Sequence, residues 1–241
     1  MDGKFETLII GASFYGMALL KTLGNKAILV ERGYRIGEEF SSSLKVTGFS
    51  GEVKTELGKR FLSKMQKHNL IDCKGAIYSA PSAYVLAEEL GGVNAVFATE
   101  IISIRKAEIG YEIELFNSEG RRTVYADRVI DSTGEGKGFS KKLNVIIRNA
   151  DGLETKLDKF TNCIIYGFEA KPYEKLIDTR KRLYSFFEEN NQHGVVFVAD
   201  CYDYDAKAEV IEKDKNYYII PSVGFQNPIS AVDAGGGGLL K

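Results

Sequence analysis

The run Gly11-Ala12-Ser13-Phe14-Tyr15-Gly16 follows the apolar stretch Thr7-Leu8-Ile9-Ile10 directly and precedes a segment of helical apolar periodicity. A strand, a glycine turn and a helix in that order aim the unpaired N–H groups of the helix start at one point, and the helix dipole adds positive character there. The chemistry on offer is anion binding, above all of the pyrophosphate of a dinucleotide. Gly11 is expected to form the tight turn, and Gly16 to let the helix lie close on the strand. Ser13 stands where the pattern usually has its second glycine. Its small side chain still permits backbone approach, and its hydroxyl is suited to bonding a phosphate oxygen. Glu31 ends the next apolar stretch, 20 positions after Gly11, where an acidic side chain accepts hydrogen bonds from ribose hydroxyls.

Two other readings compete for these residues. Any α/β protein can join a strand to a helix through glycines, with no ligand involved. A serine nucleophile elbow centred on Ser13 requires glycine where Tyr15 stands, so that reading fails. Elsewhere the chemistry is sparse. His193, in the polar stretch Asn191-Gln192-His193-Gly194, is the one candidate proton donor, and a solvated loop histidine is the plain alternative. Cys73, Cys163 and Cys201 are far apart and form no C-x-x-C pair, so no redox disulfide, iron–sulfur or zinc site is suggested. Tyr202, Tyr204, Tyr217 and Tyr218 suit either an aromatic pocket or strand packing.

The elements that must position these groups follow from hydrophobic patterning. Residues 7–10 and 27–30 read as central parallel strands, joined by a helix over 15–23, which makes a βαβ unit. Amphipathic helices are expected over 52–69 and 82–90. Short strands at 101–107, 111–116 and 122–125, separated by Gly110 and by the turn Asn117-Ser118-Glu119-Gly120, read as an antiparallel meander. A further apolar strand at 128–130 stops on Ser132-Thr133-Gly134. A composition shift near residue 140 marks a boundary, after which strands at 145–148, 163–168 and 195–199 and a helix over 176–189 make a small α+β unit. A strand at 217–220 then returns to the first unit. The predicted fold class is therefore α/β: a Rossmann-type domain with a β-meander, built from residues 1–140 and 216–241, carrying a smaller α+β substrate domain at 141–215.

Composition sets outer limits. In 241 residues, 32 basic and 33 acidic side chains leave a net charge of -1, which gives no electrostatic reason to expect a nucleic-acid partner. No apolar run approaches the length of a membrane span, and the cysteine usage suits a reducing cytoplasm.

The glycine turn, Glu31, the meander and Ala126-Asp127-Arg128-Val129-Ile130-Asp131-Ser132-Thr133-Gly134 together resemble the FAD-dependent oxidoreductases of the glutathione-reductase structural class. The resemblance covers about residues 5–134 and 217–238. It implies FAD as cofactor, with Thr133 and Gly134 near its adenine and pyrophosphate side. The implied cofactor-binding set is Gly11, Ala12, Ser13, Phe14, Tyr15, Gly16, Glu31, Arg32, Ser132, Thr133, Gly134, Gly224, Pro228, Gly235 and Gly236. The glycine-rich end reads either as a frayed tail or, as the resemblance implies, as a loop that brings main-chain N–H groups to the flavin pyrimidine oxygens, so that deleting residues 228–241 leaves a folded protein with much weaker flavin binding or an altered flavin reduction potential. Two departures stand out: Phe225 occupies the place of an acid that contacts the ribityl region, and no long terminal helix follows. No second glycine fingerprint for NAD(P)H is present.

Three functions are thereby set against each other. The first is a flavin-dependent oxidoreductase acting on a small organic substrate; the second is a non-catalytic FAD- or nucleotide-binding protein. The third, a simple NAD-binding α/β protein, is disfavoured by the meander, since such a domain repeats βαβ units instead.

Overall fold

The computed structural model describes residues 3–133, 140–148, 163–190 and 194–238. The chain enters on β1 (Lys4–Ile10), turns into α1 (Phe14–Leu23) and returns on β2 (Ala27–Val30). There follow α2 (Glu38–Ser41), β3 (Thr47–Gly48), α3 (Glu56–Lys67), β4 (Ala76–Ile77), α4 (Ser79–Glu89) and β5 (Ala95–Val96). The meander is β6 (Glu100–Lys106), β7 (Tyr111–Asn117) and β8 (Gly120–Asp131). A second group comprises β9 (Lys141–Arg148), β10 (Cys163–Glu169), α5 (Leu176–Asn190), β11 (Gly194–Val198) and β12 (Asp203–Tyr204). The chain then adds β13 (Ile211–Asp214), β14 (Tyr217–Ile219) and α6 (Pro228–Gly236).

The large sheet runs β13-β14-β8-β1-β2-β5, with β14, β8, β1, β2 and β5 parallel in succession. The expected strands at 122–125 and 128–130 are one continuous strand, β8. Its first half pairs antiparallel with β7 and its second half parallel with β1. The polar Asp127 and Arg128 break the apolar run in sequence but do not break the backbone ladder. β13 lies inside the interval 141–215 yet joins the large sheet through β14. The smaller sheet has the order β10-β9-β11, with β12 on β9.

Helix α1 is buried from Phe14 to Leu20, as befits a helix apolar on nearly every side. The Ser13 hydroxyl caps it by accepting the Gly16 N–H at 2.9 Å. Helix α3 starts at Glu56 rather than at residue 52, because the Thr55 hydroxyl accepts the Gly58 N–H and sets the N-cap there. Leu57, Phe61 and Met65 of α3 join α1, β1 and β2 in the main core. A separate core lies between α5 (Leu183, Phe187) and the smaller sheet (Leu143, Val145, Ile147).

The glycine-rich end is helical. Asn227 and Ser230 form a reciprocal capping box at the start of α6, and Pro228 takes the first helical position, where a missing N–H costs nothing. Ile229, Ala231 and Val232 are fully buried in the main core, so residues 228–238 are structural rather than a removable tail.

Candidate functional site

The carboxyl ends of β1, β2 and β8 converge, which is where open α/β sheets bind ligands. Gly11 continues β1 with φ +93°, its N–H donating to Val30 O at 2.9 Å. A Cβ at Gly11 would overlap Thr133, and one at Gly16 would stand 2.6 Å from Gly11 O. Both glycines thus serve close approach of turn, helix and the end of β8 to one another. The link is reinforced by a chain of hydroxyls: Ser13 donates to Ser132 at 2.9 Å, and Ser132 donates on to Ile10 O at 2.8 Å. The Ser13 hydroxyl, expected at a phosphate oxygen, is therefore engaged within the turn.

Below this junction opens a cavity of about 570 Å³. Gly11, Ala12, Ser13, Glu31, Ser132 and Thr133 form its wall on the large-sheet side. The opposite wall comes from the smaller unit: Lys141, Glu174, Leu176, Cys201, Tyr202 and Tyr204. Ser222 and Val223, after β14, and the stretch around α2 complete it. The two units are tied together beside it. Asn144, buried in β9, donates to Ser43 O at 2.9 Å, and Asp200 N–H donates to Ser42 O at 2.9 Å. The largely buried Lys45 ammonium donates to Tyr204 O at 3.2 Å and Val223 O at 3.1 Å.

Glu31 bonds the turn itself: one carboxylate oxygen accepts Ala12 N–H at 2.7 Å and the other Gly33 N–H at 2.6 Å. Glu39, on α2, accepts Phe14 N–H at 2.8 Å. Burial pushes the Glu39 carboxyl up to about 7, against the pull of that N–H and of Lys45. Glu38 is also raised, by burial and then by Glu31. Burial, with Glu38 and Glu39 adding to it, lifts the Cys201 thiol to about 12, so it remains protonated and is no nucleophile at neutral pH. Across the cavity the Arg182 hydrogen bond holds Glu174 down at about 2, firmly ionised.

The other residues expected at the cofactor scatter, although their backbone lies near. The Phe14 ring points into the core, edge-on to Phe40 at 5.6 Å and to Phe61 at 6.0 Å. Tyr15 is fully buried and stacks on Phe225 at 5.4 Å. Arg32 points to solvent and pairs with Glu100 at 2.7 Å. Gly224 lies against Lys207 and Ala208, where a Cβ would overlap their backbone, and is not in the cavity wall. Pro228 begins α6 and is buried. Gly235 and Gly236, expected opposite a flavin ring, are in α6: a Cβ at Gly235 would stand 2.5 Å from Tyr15 O, and one at Gly236 2.6 Å from the Thr55 hydroxyl. Gly134 and His193 lie outside the described residues. The sequence alone does not point to Arg35, Glu38, Glu39, Lys141, Ser222 or Val223. Each comes from a segment without local periodicity, and only the folding of distant segments brings them to one place.

No protein-family model matches the chain, and no curated protein does. Solved structures do match its fold. A geranylgeranyl bacteriochlorophyll reductase-like protein from Thermoplasma acidophilum superposes with TM-score 0.63 at 10% identity, over 98% of this chain and 77% of that one. L-proline dehydrogenase from P. horikoshii gives 0.58 at 13% identity, over 98% and 92%. The p-nitrophenol 4-monooxygenase PnpA from Pseudomonas putida DLL-E4 gives 0.56 at 12% identity, over 98% and 78%. The chain thus shares its α/β fold, a mostly parallel Rossmann-type sheet bearing a smaller second unit, with a reductase-like protein, a dehydrogenase and a monooxygenase rather than with one of these alone.

Proposed function

We propose that the chain binds FAD across this cavity and acts as a flavin-dependent oxidoreductase on a small organic molecule. The observation that carries the reading is the cavity itself, one space that joins the glycine turn and Glu31 to the smaller unit. Its volume of about 570 Å³ lies within the range of about 300–1,000 Å³ typical of small-molecule and cofactor sites. The donor set fits the group: a left-handed turn at Gly11, the start of α1, and a carboxylate at the end of β2. In this reading the backbone of residues 11–14 holds the pyrophosphate, Glu31 accepts the ribose hydroxyls, and Thr133 and Gly134 flank the adenosine side. FAD, when bound, supplies hydride or electron transfer, and the protein supplies position and field. Residues 1–140 and 216–241, with β13, form the cofactor unit, and the smaller unit selects the substrate. A second, mainly apolar cavity of about 320 Å³, between Leu44, Ile77, Pro81, Ile146 and Ile165, is the proposed substrate space.

The glutathione-reductase class is the finer assignment, supported by the glycine turn, Glu31, the meander and the motif at 126–134 taken together. On cysteine usage we place the protein in the cytoplasm, and its charge balance supports no nucleic-acid partner. Among the described residues no helix is long and apolar enough to cross a membrane. One observation favours a second reading, a non-catalytic FAD- or nucleotide-binding protein. Phe225, at the position of the ribityl acid, is buried against Tyr15 and offers a ligand no polar group.

The test is spectroscopic. The purified protein is expected to show flavin absorption, or to quench FAD fluorescence on titration; a preparation that stays colourless in excess FAD without quenching overturns the reading. Anaerobic reduction by dithionite, followed by oxygen and candidate acceptors, then separates enzyme from binding protein.

A further inference from the structure

The donors that a pyrophosphate needs are already bonded to carboxylates of the chain. Ala12 N–H is held by Glu31 at 2.7 Å, and Phe14 N–H by Glu39 at 2.8 Å. The two carboxylates are not equivalent. Glu31 follows β2, where a hydrogen-bond acceptor is what ribose hydroxyls require. Glu39 comes from a different element, α2, and its charge sits on the first N–H of α1, where an incoming phosphate oxygen would bring another negative charge. At such separations like charges repel strongly in a site partly shielded from water.

The surroundings of Glu39 bear on its protonation. Phe14 N–H faces it from α1, Glu38 from its own helix, Lys45 from the segment after α2, and the Cys201 thiol from the smaller unit. Glu31, Arg35, Lys141, Glu174 and Lys175 line the same cavity, and Asp200 and Asp203 stand beside Cys201. Lys45 favours the ionised form, whereas burial and Glu38 oppose it, and burial dominates.

Resting on the FAD reading above, we propose that Glu39 sets the strength and pH dependence of dinucleotide binding: pyrophosphate takes the Phe14 N–H as Glu39 releases it, and the Glu39 carboxylate takes up one proton from solvent. Where the free carboxyl is ionised the balance is one proton taken up per FAD bound, and where it is already protonated none. The protonated carboxyl then offers an O–H donor where an acceptor stood. The sign follows from linkage. Above a carboxyl poised near 7 the proton must be drawn from solvent, so affinity falls about tenfold per pH unit; below it the proton is already in place and affinity is flat.

Titration of the full chain with FAD tests this, using the wild type and Glu39→Gln. Wild-type affinity is expected to weaken about fiftyfold from about pH 7 to about pH 9. Glu39→Gln is expected to be independent of pH and to bind more tightly than wild type at the alkaline end. Calorimetry in buffers of different ionisation heat should count one proton taken up per FAD at about pH 8.5 by the wild type, and none by the variant. If the variant does not fold, the wild-type proton count and slope decide alone. Wild-type binding that is unchanged with pH and takes up no proton overturns the proposal while the FAD reading stands. Absence of FAD binding by both proteins at every pH removes the FAD reading, and the proposal with it.

Discussion

Two glycine-rich segments sit at opposite ends of the chain and meet on the same helix. The first, Gly11 to Gly16, turns β1 into α1 and faces the cavity. The second, Gly235 to Gly238, begins inside α6 and presses on α1 from another side, with Gly235 under Tyr15 O and Ala18. Both use the missing Cβ for close approach, and the first of them lines the cavity described above. Glycine enrichment reports that something must come near the backbone, and the partner is set by what the rest of the fold brings there.

Removing residues 228–241 is the harshest way to break this comparison. The deletion strips Ile229, Ala231 and Val232 from the core, and Ile229 and Val232 alone are worth about 1.5–3 kcal/mol each, a large part of a typical stability of about 5–15 kcal/mol. The truncated chain is expected to lose its cooperative thermal transition by circular dichroism. Retention of a sharp transition near the wild-type temperature would mean that α6 is dispensable.

A paired substitution sharpens the contrast. Gly16→Ala and Gly235→Ala each place a methyl within 2.6 Å and 2.5 Å of backbone oxygen respectively, and each is expected to cost about 1–3 kcal/mol in chemical denaturation. Only Gly16→Ala should also weaken FAD binding in the folded protein, because it displaces the turn at the cavity. Equal loss of FAD affinity in both would show that the α6 seam is part of the cofactor site after all.

On the cavity side, Glu31→Gln should leave the fold intact and weaken FAD binding by about 1 kcal/mol, as charge-assisted hydrogen bonds become neutral ones. An unchanged dissociation constant would place the ribose elsewhere. The smallest effect belongs to Gly237, which has φ -81° and a nearest contact of 3.4 Å for an added Cβ. Gly237→Ala should shift stability by no more than about 0.5 kcal/mol. A loss comparable to that of Gly235→Ala would show that the seam extends further than the packing indicates.

Much of this is legible along the chain. The bounds of β2 can be read because four apolar residues between breakers admit little else, and the helix expected over 15–23 starts one residue earlier, at Phe14, where Ser13 caps it. The apparent split of β8 has a clear source: a polar pair interrupts the apolar run, while backbone pairing to β7, β1 and β14 carries through it. The short strands β3, β4 and β5 give no signal, since two residues are too few to show a period.

By itself the sequence determined the βαβ opening, the glycine turn into α1 and the acid that follows β2, because each depends on neighbours within a few residues or on one strand length. Tertiary structure alone decided that Gly235 packs on α1, that Phe225 stacks on Tyr15 in the core, and that Glu39 lands on Phe14 N–H. Those outcomes depend on which distant segments share a volume, and residues 25, 220 and 210 positions apart along the chain (39 − 14, 235 − 15, 225 − 15) leave no local pattern from which the contact can be read.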